Sequence, residues 1–66
     1  MDQMEPDQEI EQILRKPTCS VPEYGRIVNI SRNGAYESVR RGEVDVMRVG
    51  NVIRVLTVPL RKRLGM

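Results

Sequence analysis

Apolar and polar positions follow three different rhythms along the chain, and each predicts a different element. In residues 6 to 16, PDQEIEQILRK, the apolar Ile10, Ile13 and Leu14 recur at helical spacing, with acids early and Arg15 and Lys16 late, an order that suits the helix dipole. This predicts a helix of two or three turns that stops before Pro17, since a residue ahead of proline is pushed out of helical geometry. Residues 1 to 5 read as a frayed terminus and residues 17 to 20, PTCS, as a connector. A second helix starts at Ser20: Glu23 completes capping-box spacing, and Pro22 falls in the first turn, where its missing N–H costs nothing. Tyr24, Ile27 and Val28 share its inner face, and Arg26 points away. Asn29 tolerates the left-handed backbone that ends a helix, and Ile30 is expected to drop into the core beneath the turn. Ser31 then caps a third helix, whose buried side is supplied by Ala35 and Val39, with Tyr36 a further candidate, and which Gly42 closes.

After Gly42 the rhythm shortens. Val44, Val46, Met47, Val49, Val52, Ile53, Val55, Leu56 and Val58 form a dense β-branched and apolar run broken by Arg48, Gly50-Asn51 and Arg54. It predicts a hairpin of strands at residues 45 to 49 and 52 to 56, with Gly50 at the first central position of a type II′ turn. Alternation puts Met47 and Val49 on one side and Val46 and Arg48 on the other. One side must lie on the helices, because an isolated hairpin is marginal in water. Thr57 is expected to cap a last short helix, with Pro59 in its first turn and Leu60 and Leu64 one turn apart. The order helix, turn, helix, hairpin, helix describes an α+β fold, a small winged helix-turn-helix preceded by an extra helix. Residues 1 to 16 form an acidic N-terminal segment and residues 17 to 66 the winged domain.

Composition narrows what such a domain can do. Sixty-six residues with 39% hydrophobic content and neither Phe nor Trp make one thin core of Val, Ile, Leu, Met and two tyrosines. A single cysteine, Cys19, excludes an internal disulfide, and with no histidine neither a structural metal site, nor a cofactor, nor nucleophilic catalysis at Cys19 is expected. Burial as a small apolar residue is the expected fate of Cys19. There is no apolar run of membrane-spanning length and no signal-peptide core, so a cytoplasmic protein without a membrane partner is expected. The net charge of +2 conceals a division: residues 1 to 14 carry five acids and no base, whereas residues 15 to 66 carry all 11 Lys and Arg against four acids, a balance of +7. A domain so charged attracts polyanions.

The third helix carries Ser31, Arg32, Asn33, Tyr36, Glu37, Arg40 and Arg41, the residue types that read base edges or phosphate in a DNA major groove. Arg32 or Arg40 suits guanine and Asn33 suits adenine, while Glu37 either joins them or orients an arginine. Arg26 and Arg41 are candidates for phosphate. At the wing, Gly50 keeps the tip slim, Asn51 can reach base or phosphate, and Arg48 and Arg54 can anchor to backbone or enter a minor groove. The plain alternative is a helical hairpin whose arginines are a solvated face. Gly34, inside this helix, costs about 1 kcal/mol of helix propensity relative to alanine, and one use for it is close backbone approach to DNA.

The string SVPEYGRIVNISRNGAYESVRRGEVDVMRVGNVIRV resembles the excisionase family of small, MerR-like winged helix-turn-helix proteins over about residues 20 to 64. The most specific parts are ISRNGAY at 30 to 36, RRGEV at 40 to 44 and RVG at 48 to 50 followed by Arg54. Tyr24-Gly25 stands where the family usually has two alanines, Asn29 where it has a turn glycine, Asp45 where proline is frequent and Ile53 where an aromatic is frequent. The resemblance implies a non-enzymatic recombination directionality factor of a phage or integrative element, acting at the bacterial nucleoid. Such a protein binds repeated attachment-site DNA cooperatively, in head-to-tail copies, bends it, and turns a tyrosine or serine integrase toward excision. Two other classes remain open. One is a small winged-helix transcriptional regulator, although the dimerisation helix and effector domain of MerR-type regulators have no room here. The other is a winged module that contacts only protein.

Overall fold

Caps, close helix packing and one hairpin determine the architecture of the computed structural model. It describes residues 6–66, so the frayed terminus expected at residues 1 to 5 lies outside the described residues. Four helices and a three-stranded antiparallel sheet follow in the order α1 (Pro6–Arg15), β1 (Thr18–Cys19), α2 (Val21–Val28), α3 (Arg32–Arg40), β2 (Val46–Val49), β3 (Val52–Leu56) and α4 (Thr57–Arg63). No described helix is long and apolar enough to cross a membrane.

The expected capping box opens α2. The Glu23 N–H donates to Ser20 Oγ at 3.1 Å and the Ser20 N–H donates to Glu23 Oε1 at 2.9 Å. That backbone bond, joined by the Lys16 ammonium 3.1 Å away, holds the Glu23 carboxyl below its usual range against the opposing effect of partial burial. A carboxyl more acidic folded than unfolded contributes stability above the ordinary carboxylate range and loses it as pH falls through the depressed value. The melting temperature is therefore expected to drop on acidification through that window, and Glu23→Gln to weaken the dependence. Identical pH profiles for the two proteins would show that Glu23 does not titrate with folding.

Helix α2 ends at Asn29, in the left-handed region with φ 62° and ψ 48°. The Ile30 N–H donates to the Gly25 carbonyl at 2.9 Å and the Asn29 N–H to that of Arg26 at 3.3 Å, the paired bonds of a Schellman ending. In that motif the residue after the left-handed position normally packs on a side chain at the position occupied here by Gly25. No side chain is available there, and a Cβ on Gly25 would stand 3.1 Å from the Ala35 Cβ, so α2 and α3 close tightly at this point. Ile30 consequently does not enter the core as expected. It remains 42% exposed, over the first turn of α3.

The sheet has the order β1-β3-β2. Register pairs Val46 with Val55, Met47 with Arg54, Arg48 with Ile53 and Val49 with Val52. Val46, Arg48, Ile53 and Val55 therefore share the face toward the helices, and Met47, Val49, Val52 and Arg54 the outer face. The first strand is one residue shorter than expected, although the Asp45 carbonyl still accepts from the Leu56 N–H at 3.0 Å. Gly50 at the turn has φ 60° and Asn51 does not have a positive φ, as a type II′ turn requires.

The expected connector at residues 17 to 20 is in part a strand: Thr18 pairs with Leu56 and Cys19 with Val55. Cys19 is fully buried, as expected, and burial, followed by the Glu23 carboxylate, pushes its thiol up to about 11. A thiol reagent is expected to label native protein only at the rate of unfolding, and denatured protein at once. Rapid native labelling would mean that β1 opens by itself.

Thr57 was expected to cap α4 but is the first residue within it, Leu56 being the cap without a side-chain bond. Its hydroxyl is spent elsewhere: fully buried, it donates to the Lys16 carbonyl, while the Thr57 N–H donates to the Pro17 carbonyl at 3.1 Å. Leu60 is buried and Leu64, the C-cap, is 40% exposed at the rim of a groove beside Val28 and Val44, not part of the core. Helix α1 buries Ile13 and Leu14 within its own domain, against α2, β1 and α4.

Candidate nucleic-acid interface

Helix α3 is positioned by a buried seam on one side and is bare on the other. Ser31 caps it, its Oγ accepting from the Gly34 N–H at 3.0 Å. Ala35 is fully buried against Gly25, and Ser38, which sequence reading missed, is buried with its hydroxyl 2.7 Å from the Tyr24 hydroxyl. The Ala35, Ser38, Val39 series is a helical stripe with one polar member, so only its period could have marked Ser38 as internal. The remaining candidates, Arg32, Asn33, Tyr36, Glu37, Arg40 and Arg41, are all exposed. Tyr36 is thus not part of the buried side: at 42% exposure it stands at the border between α3 and the hairpin.

That border is a groove lined by Tyr36, Val39, Arg40, Val46, Arg48 and Ile53. It continues past Tyr36 toward the hairpin tip, between Asn51, Ile53 and Arg54 on one side and Ser20 and Pro22 at the start of α2 on the other. Arg40 of α3 and Arg48 of the hairpin therefore border one groove, and Asn51 of the hairpin turn borders the adjoining one with Tyr36. Register explains why Arg48 shares the groove: as the cross-strand partner of Ile53 it faces the helices, but it lies far enough along the hairpin to stay exposed.

Two of the candidate arginines are left without a partner and the others are engaged. Among the described residues Arg32 and Arg48 have no hydrogen-bond or ion-pair partner. Arg40 is 3.3 Å from Glu37 and Arg41 3.9 Å from Glu43, both in exposed pairs of the kind that contribute little to stability. Glu37 thus stands next to Arg40. Arg54 is different. Its side chain is on the outer face of the sheet, and its Nε donates to Thr18 Oγ1 at 3.3 Å, so it ties β3 to β1. Arg26 does not stand free, being paired with Glu9 of α1.

The use suggested for Gly34 also changes. A Cβ there would come 3.2 Å from Ser31 Oγ and 3.7 Å from the Ile30 Cβ, so the room this glycine leaves is occupied by the chain's own cap and by Ile30.

The described residues contain no cluster of three or more His, Cys, Asp or Glu side chains able to hold a metal ion. Arg63, from α4, donates to the Glu43 carbonyl at 2.5 Å and so braces the segment that leaves α3. Comparison with protein families, with curated proteins and with solved structures gives no match to this chain.

Proposed function

We propose that this chain is a winged helix-turn-helix protein that binds double-stranded DNA, with α3 in the major groove and the β2–β3 hairpin as the wing. One observation supports the reading: Arg40 of α3 and Arg48 of the hairpin border the same groove, and among the described residues no buried carboxylate neutralises them. A helix of this size fits the major groove, and a slim hairpin beside it can follow the backbone into the adjacent one. Arg32, Asn33 and Arg40, on the bare side of α3, take base edges, with Tyr36 at the junction. Arg41 and Arg48 take phosphate.

In the role implied by the resemblance to excisionases, several copies bind along attachment-site DNA, bend it and assist an integrase in excision. A bend of tens of degrees costs a few kcal/mol, which copies bound side by side can share.

The test is a gel shift on duplex DNA over a salt series, followed by footprinting on attachment-site DNA. A steep fall of affinity with salt, with evenly spaced protected sites, is the expected result. Affinity without salt dependence, or none for any duplex, would overturn the DNA reading. A single isolated footprint would leave DNA binding standing and overturn the array.

A further inference from the structure

We propose that α1 acts as a built-in competitor for DNA, with the Glu9 carboxylate occupying the Arg26 guanidinium that a backbone phosphate would otherwise take. The proposal rests on the DNA-binding reading and adds a mode of restraint to it.

Two ion pairs of opposite sense fasten α1 along α2. Glu9, in the first half of α1, meets Arg26 in the last turn of α2, while Lys16, just past the end of α1, meets Glu23 in the first turn of α2. The helices therefore run antiparallel, a direction that also suits their dipoles. The two pairs differ in how replaceable they are. Glu23 is committed to the capping box as well as to Lys16. Among the described residues the Glu9 carboxylate has no partner but Arg26, and that pair is open to water, the two side chains being 38% and 60% exposed.

A carboxylate and a phosphate present the same fork of oxygens to a guanidinium, so a phosphate can displace Glu9 one for one. Helix α1 need not undock for this to happen. Ile13 and Leu14 anchor it in the core, and only the Glu9 side chain has to swing. Arg26 is also near that surface along the chain: it stands in the last turn of α2, and its carbonyl accepts from Asn29 in the turn that leads to Ser31, Arg32 and Asn33. Glu9, one of the five acids of residues 1 to 14, thus opposes the basic domain at a defined contact, and not only through summed charge.

The test measures affinity for a random-sequence duplex over a salt series, with thermal melting of each variant to verify folding. Glu9→Gln is expected to bind about two- to fivefold more tightly, the range an exposed pair supports, with a salt slope steeper by about one phosphate contact. Glu11→Gln makes the same charge change at an exposed α1 residue with no partner among the described residues, and should change little. In an Arg26→Ala background, Glu9→Gln should have no further effect. Equal gains from Glu9→Gln and Glu11→Gln, or a gain that persists without Arg26, would overturn the proposal in favour of bulk charge. If the wild type binds with steep salt dependence and Glu9→Gln changes nothing, the competitor falls and the DNA reading survives. A wild type that binds no duplex defeats both.

Discussion

Leu14→Ala is expected to lower the unfolding free energy by about 2–5 kcal/mol, the range for truncating a buried leucine. Leu14 is only 2% exposed, at the end of α1 where that helix meets α2, β1 and α4. A 66-residue chain has little stability in reserve, so a loss of this size should leave much of the population unfolded near body temperature. Denaturant titration followed by circular dichroism measures it. Leu64→Ala is the comparison, since that side chain is 40% exposed and its truncation should cost less than about 0.5 kcal/mol. If the two variants lose the same small amount, α1 is not part of the cooperative core.

Arg32→Ala should weaken DNA binding by about 1–3 kcal/mol and relax sequence preference at one position, as expected for a side chain that reads a base edge. The residue opens α3, is exposed and has no partner among the described residues, so its removal breaks nothing inside the protein. Arg48→Ala, on the hairpin, should weaken binding to matched and random duplexes alike and reduce the salt slope by about one contact. Competition binding with the two kinds of duplex separates these outcomes. An equal loss on both for Arg32→Ala would reassign it to the phosphate backbone.

Much of the fold was legible because its signals are local. A capping box needs only Ser20 and Glu23 at the right spacing, a helix stop needs only a residue at ease in the left-handed region, and the turn at Gly50-Asn51 announces its own hairpin. Two misreadings share a cause, which is dependence on a partner far away in the chain. A two-residue strand such as Thr18–Cys19 has no period to detect, and it exists because Val55 and Leu56 offer an open edge. Thr57 has every attribute of a cap, yet its hydroxyl is claimed by the Lys16 carbonyl. Ile30 is apolar and follows a helix ending that normally buries such a residue, but Gly25 removes the surface it would cover. For the candidate interface, the bare side of α3 followed from spacing alone. The separation of Arg48 from Arg54 onto opposite faces of the sheet follows from the strand period, but the engagement of Arg54 with Thr18 depended on the unforeseen strand.

The bonds that Thr57 makes to Lys16 and Pro17, next to the pairing of Thr18 with Leu56, weld the beginning of the domain to its end. Helices α2 and α3 and the hairpin are made of neighbours in sequence, whereas this seam spans some forty residues and carries the larger loop-closure cost. The seam works like the clasp of a bracelet: α1 and α4 gain their protection from solvent together, and whatever opens one loosens the other.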